Sequence, residues 1–306
     1  MKIVYLGTPD FAVLPLKKIF EGKKHQILAV VTNCDKPVGR KRILTAPPVK
    51  QFALENDIPV YQYEKIRLEG VEDMKKLNPD VMITCAFGQI LSQEILDIPK
   101  FGVINIHASL LPKYRGASPI HYAILNGEKE TGISVMKTDI GIDTGDVILQ
   151  KSLNILDDEN CGSLFDRLSH LGADCIEEAL DKIEKGTATF TKQNDDEATL
   201  TKIIKKEDAL IDWNQTANEV YNKIRAFNPA PIAYSMLNGA PFKIYDAKVL
   251  DVDGKTGTIL QADKELVIAC KKGAISLKTV QKAGGNAMQI ADFLRGNKFT
   301  VGEEFV

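Results

Sequence analysis

Asn105 and His107 stand two residues apart in Val103-Ile104-Asn105-Ile106-His107-Ala108-Ser109-Leu110-Leu111-Pro112-Lys113-Tyr114-Arg115-Gly116. Phe101 to Ile106 alternates apolar residues and reads as a short buried strand. Pro112, Gly116 and Pro119 make the following stretch an ordered loop. Residues two apart on a strand point to the same side. An amide and an imidazole at a strand's carboxyl end can polarise a carbonyl and move a proton. The third candidate is Asp143, in Asp139-Ile140-Gly141-Ile142-Asp143-Thr144-Gly145-Asp146. Gly141 and Gly145 bracket it, so the loop can bend sharply and carry a carboxylate to a neighbouring strand end. A carboxylate beside the imidazole favours its charged form, and an amide donor can bind a developing oxyanion. The set suits acyl transfer to a nucleophile that brings its own amine. On residue types alone, a backbone-bonded histidine and a turn aspartate are the ordinary alternatives.

Other nucleophiles and metals find little support. Cys85 falls in a core strand, and Ser109 lacks a GxSxG elbow. His25, His121 and His170 have no metal-ligand spacing to a second ligand, so no metal is expected. The five cysteines are odd in number and scattered, without CxxC, which argues against a disulfide framework or a zinc site.

With 306 residues the chain is long enough for two domains. It is 44% hydrophobic and 26% charged, an ordinary soluble composition. At a net charge of −2, a nucleic-acid contact must come from a local patch, not from the whole surface. Met1-Lys2 leads directly into an apolar strand and there is no long apolar run, so the expectation is a cytoplasmic protein without a membrane span.

The elements that must position the candidates follow in order. Lys2 to Leu6 reads as a buried strand, and Gly7-Thr8-Pro9-Asp10 as a turn into a helix with Thr8 at the N-cap. Gly7 stands alone where a dinucleotide fingerprint needs three glycines, which leaves a nicotinamide-dependent dehydrogenase a weak rival. A strand at Gln26 to Val31 leads into Asp35 to Pro48, rich in Pro and Gly, with Lys36, Arg40, Lys41 and Arg42 opposed only by Asp35. Its ordinary reading is a solvated loop; its functional reading is a basic finger on phosphates. Strands at Pro59 to Tyr61 and Asp80 to Cys85 alternate with helices, which implies a parallel sheet. Ligands of such sheets sit outside the strands' carboxyl ends. Thr131 to Lys137 and Asp146 to Leu153 read as strands, and Asn160 to Lys185 as one long amphipathic helix. Residues 1–186 form the first domain on this reading, polar 187–209 a linker, and 210–306 a second domain. There a helix (Thr216 to Ala226) precedes five short strands, whose turn spacing suggests a small β-barrel of the oligonucleotide/oligosaccharide-binding (OB) type.

Asn105-Ile106-His107-Ala108-Ser109-Leu110-Leu111-Pro112-Lys113-Tyr114-Arg115-Gly116 resembles the signature of the 10-formyltetrahydrofolate-dependent formyltransferases, and Asp139 to Asp146 is similar to their second motif. The resemblance implies an α/β fold with a Rossmann-like, mostly parallel sheet, then a small OB-like barrel. It implies 10-formyltetrahydrofolate as co-substrate and Asn105, His107 and Asp143 as the catalytic set. It places folate against Gln89, Ile90, Leu91, Ser109, Leu110, Leu111 and Pro112, with Asp139, Gly141 and Thr144 closing over it. Gly7-Thr8-Pro9-Asp10-Phe11, the basic insertion and the β-rich second domain resemble those of the members that formylate methionyl-initiator tRNA for translation initiation. Arg40, Lys41 and Arg42 would then contact the tRNA acceptor arm. Gly39-Arg40-Lys41-Arg42 departs from relatives that often carry a glycine after the first arginine, so Arg40 aligns plainly while Lys41 and Arg42 do not. A monomer is expected. The rivals are a formyltransferase acting on a nucleotide-linked amino sugar and a non-catalytic folate- or RNA-binding protein; the intact set argues against the latter.

Overall fold

The computed structural model describes residues 1–39 and 41–305. The chain divides into two compact units. One comprises residues 1–119, 131–153 and 165–202; the other comprises 120–130, 154–164 and the chain from 203 onward.

Up to residue 202 the strands are β1 (Lys2–Gly7), β2 (Gln26–Thr32), β3 (Lys36–Val38), β4 (Ile43–Thr45), β5 (Val60–Gln62), β6 (Val81–Cys85), β7 (Val103–His107), β8 (Arg115–Gly116), β9 (Glu130–Lys137), β10 (Val147–Asn154) and β11 (Leu200–Thr201). The helices are α1 (Val13–Gly22), α2 (Pro48–Glu55), α3 (Ile66–Glu69), α4 (Val71–Leu77), α5 (Gln93–Leu96), α6 (Pro119–Leu125) and α7 (Cys161–Glu184). Seven strands make one sheet in the order β10-β9-β7-β6-β1-β2-β5. β7, β6, β1, β2 and β5 run parallel, and β9 joins β7 antiparallel. The chain winds outward from β1 through β2 on one side and β6 on the other, which leaves a crevice at the carboxyl ends of the central strands. β6 is buried along its whole length, as a strand covered on both faces must be. Val4, Leu6, Val31, Met82, Phe87 and Ile95 pack in the core of this layer. Register then sets the site: Thr84 lies opposite Asn105, Asn105 opposite Met136, and His107 opposite Ser134.

Two local readings change, and the stretch after Gly186 gains detail. Thr8 is not a helix cap. The first turn is a short 3-10 segment, Asp10–Ala12, capped by Pro9 without a side-chain bond. The Thr8 hydroxyl instead donates to Phe87 O (3.3 Å) and accepts from Asn33 N (3.3 Å), tying two strand-end loops together. The stretch after Asn33 is not a plain loop: β3 and β4 pair as an antiparallel hairpin, Lys36 opposite Thr45 and Val38 opposite Ile43. The polar stretch after Gly186 is paired: Thr191 bridges Val147, and β11 runs parallel to β8. It shows no period because single bridges and side chains, not a regular ladder, satisfy its backbone.

The second unit carries α8 (Ala217–Ala226), β12 (Tyr234–Leu237), β13 (Ala240–Leu250), β14 (Ile259–Ala262), β15 (Leu266–Ala269), β16 (Ala274–Gln281), β17 (Met288–Gln289) and α9 (Ile290–Gly296). Thr216 caps α8 in a capping box with Glu219. The antiparallel order β12-β13-β16-β15-β14, with β17 on β16, curls as a half-barrel, in keeping with the turn spacing. Its core is aromatic. Phe242 meets Phe293 and Phe305 edge-on at 5.5 and 5.4 Å, and the buried Trp213 indole donates to Ser235 Oγ (2.9 Å). Among the described residues no helix is long and apolar enough to cross a membrane.

Candidate active site

Asn105 and His107 end β7, and the loop between β9 and β10 brings Asp143 to both. Asn105 Nδ2 donates to Asp143 Oδ1 (3.2 Å), and His107 Nδ1 lies 3.5 Å from Asp143 Oδ2. Three residues separated by up to 38 positions thus converge within one unit. His107 is 6% exposed and the Asp143 side chain 17%, so the group is shielded but reachable.

The partners fix each orientation. The Asp143 carboxylate can only accept, so the Asn105 amide nitrogen faces it, and Oδ1 on the other side accepts from the Thr84 hydroxyl (2.9 Å). His107 Nε2 sits 2.9 Å from Tyr114 O. A carbonyl can only accept, so Nε2 carries a proton and Nδ1 is the ring atom turned to the carboxylate. Gly116 N donates to Asp143 Oδ2 (2.8 Å). Asp143 itself has φ of +51°, a left-handed conformation that few side chains tolerate. Gln193 Nε2 donates to the carbonyls of Asp143 (2.8 Å) and Gly145 (2.7 Å).

The residues tied to folate by resemblance divide by environment. Ser109 is buried, its hydroxyl donating to Lys113 O (2.6 Å). Leu111 N donates to Ser134 Oγ (3.0 Å), and Gln150 Nε2 donates to Leu111 O (2.8 Å), which straps Ser109 to Pro112 against β9 and β10. Leu110 is half-buried. Asp139 Oδ1 accepts from Gly141 N (3.0 Å) and Thr144 Oγ1 (2.6 Å), so these three shape their own loop. The Gln89 side chain is fully engaged: Oε1 accepts from Ile66 N (2.8 Å), while Nε2 donates to Asn33 Oδ1 (2.7 Å) and Tyr63 O (2.9 Å). Leu91 is in the core, whereas Ile90, Ile140 and Ile142 are among the most exposed apolar side chains.

In the basic hairpin, Lys41 and Arg42 are exposed; Arg40 lies outside the described residues. Asp35 does not neutralise them. Its carboxylate accepts from Lys50 Nζ (2.8 Å) and Gln62 Nε2 (2.9 Å), and the Lys50 ammonium holds its carboxyl below the usual carboxylate range.

A thiol nucleophile finds no support here: Cys85 is buried, and burial pushes its thiol up to about 12. Among the described residues no group of three His, Cys, Asp or Glu side chains could hold a metal ion. Residue-type reasoning passed over Thr84, Arg115 and Gln193. Strand register could have found Thr84, and Arg115 lies inside the signature stretch. Gln193 carries no local signal.

Residues 1–180 match the formyl transferase family, and residues 203–298 match the formyl transferase C-terminal domain. A methionyl-tRNA formyltransferase of Geobacter metallireducens is 44% identical over 304 residues, covering 99% of this chain and 97% of that protein. The chain belongs to the methionyl-tRNA formyltransferase family. Another member, from Agathobacter rectalis, is 47% identical over 97% of this chain and 96% of that protein. More distant solved structures share the fold. The N-formyltransferase of Helicobacter canadensis, in complex with folinic acid and dTDP-3-aminofucose, superposes with a TM-score of 0.71 at 23% identity, over 92% of this chain and 99% of that one. HypX from Aquifex aeolicus, in complex with tetrahydrofolic acid, gives 0.65 at 20% identity over 96% of this chain. This chain spans 47% of the HypX chain.

Proposed function

We propose that Asn105, His107 and Asp143 transfer the formyl group of 10-formyltetrahydrofolate to the free α-amine of methionyl-initiator tRNA, releasing tetrahydrofolate and formylmethionyl-tRNA. The observation that carries this reading is the convergence of the Asn105 and His107 side chains on the Asp143 carboxylate, with Thr84 bonded to the far side of the amide and Tyr114 O to the far side of the ring. The amine attacks the formyl carbon. One Asn105 N–H bonds to Asp143 and the other is free to meet the oxyanion; a proton on His107 Nδ1, 3.5 Å from the Asp143 carboxylate, is shared between that carboxylate and the oxyanion. Asp143 holds that proton on the ring and, through water, helps move the amine proton to N10 of the folate. Exposed Ile90, Ile140 and Ile142 offer apolar surface for the folate ring system. The supporting relatives are methionyl-tRNA formyltransferases over nearly their whole length. The protein acts as a cytoplasmic monomer in this reading.

The tRNA side is assigned to the hairpin and the half-barrel. Asp35, occupied by Lys50, does not neutralise the exposed Lys41 and Arg42. Arg40→Ala, Lys41→Ala and Arg42→Ala are each expected to weaken tRNA use with little change in folate affinity. Each lost phosphate contact should lower the slope of log affinity against log salt by about 1. Unchanged slopes would return the hairpin to a solvated surface.

The reading as a whole is tested by formyl transfer from 10-formyltetrahydrofolate to charged initiator and elongator methionyl-tRNA in parallel. Formylation of the initiator alone is expected. Folate turnover without transfer to either tRNA would refute the acceptor assignment.

A further inference from the structure

Asp143 needs outside support. Its φ of +51° is a conformation that costs a non-glycine residue free energy unless its surroundings impose it. The bonds of Asp139 to Gly141 and Thr144 shape the front of the loop, and Lys137 N donates to Asp146 O (2.9 Å) at its base. Between them, the carbonyls on either side of Thr144 accept from one buried side chain, Gln193, which is 8% exposed.

The Gln193 amide can sit only one way round. Arg115 Nε donates to Gln193 Oε1 (3.0 Å), and a guanidinium has donors alone. The amide nitrogen must therefore face the two carbonyls. Arg115 is itself 5% exposed and anchored by Nη2 to Asp195 Oδ1 (2.8 Å). Its chain neighbours complete the connection. Tyr114 O holds the His107 ring, and Gly116 N holds the Asp143 carboxylate. The same polar stretch also fixes Tyr114, whose N–H donates to Thr199 Oγ1 (2.8 Å). One hydrogen-bonded chain thus runs from Asp195 through Arg115 and Gln193 to the backbone of Asp143.

We propose that Gln193 is a positioning residue for formyl transfer, holding the Asp143 carboxylate against Asn105 and His107 by clamping the carbonyls of Asp143 and Gly145. This rests on the assignment of Asp143 to the catalytic set. Gln193 touches no substrate; it acts through Asp143. A carboxylate displaced by about 1 Å costs up to roughly 100-fold in rate.

The test compares Gln193→Leu, which removes both N–H donors, Asp143→Asn and the double variant in steady-state formylation. Gln193→Leu is expected to lower kcat about 10- to 100-fold, with KM for both substrates within about twofold of the parent. The double variant is expected to be no slower than Asp143→Asn alone, because both changes remove the same contribution. If Gln193→Leu loses the fold, Gln193→Glu, which keeps the acceptor for Arg115, carries the same comparison. A kcat within about twofold of the parent, or losses that multiply in the double variant, would overturn the proposal. Parent-like turnover in Asp143→Asn would instead overturn the assignment on which it rests.

Discussion

Asn105→Ala and His107→Ala should each lower turnover by about two to three decades while leaving tRNA affinity nearly unchanged. Loss of one oxyanion donor typically costs ~2.7–4 kcal/mol of transition-state stabilisation, and the proposed mechanism assigns one donor to each side chain. Both lie in β7, where His107 is buried and Asn105 partly buried. The changes also remove one hydrogen bond each, from the Thr84 hydroxyl to Asn105 Oδ1 or from the imidazole to Tyr114 O. A lost hydrogen bond costs about 0.5–1.5 kcal/mol in stability, so thermal midpoints must be recorded alongside kcat. A folded variant with near-normal turnover would remove that residue from the catalytic set.

Gly145→Ala is expected to lower turnover by a different route. A Cβ at residue 145 would fall inside the van der Waals contact of the Lys137 carbonyl, a backbone atom at the end of β9, and would press on Met136. Overpacking against rigid structure costs about 1–3 kcal/mol. Here the relief is movement of the loop itself, since Gly145 O is one of the two carbonyls held by Gln193. The carboxylate two residues earlier would move with it. A drop in kcat of about 10- to 100-fold with a lowered thermal midpoint is expected. Parent-like kcat in the substituted protein would show that the loop relaxes without moving Asp143.

Much of this is legible in the sequence. The period of two in β7 gave Asn105 and His107 a common side, and the glycines around Asp143 marked a loop able to reach them. The parallel sheet followed from alternating strands and helices, and the half-barrel from evenly spaced turns. What stayed hidden depends on contacts distant in sequence. Gln193 reaches Asp143 across 50 positions and Arg115 across 78, from a stretch without period that reads as a connection. The basic hairpin is masked by Pro37 and Gly39, which signal a loop although three residues on each side still pair. Thr8 has the side chain of a cap, yet its hydroxyl is taken by Phe87 O across 79 positions. Local propensity could not foresee that tertiary bond.

The most direct test of the central claim is single-turnover transfer from formyl-labelled 10-formyltetrahydrofolate, with methionyl-initiator tRNA and a nucleotide-linked amino sugar offered together. Label is expected on the methionine α-amine of the tRNA alone, and loss of that signal is expected with Asp143→Asn. Label on the sugar amine, or undiminished transfer by Asp143→Asn, would contradict it.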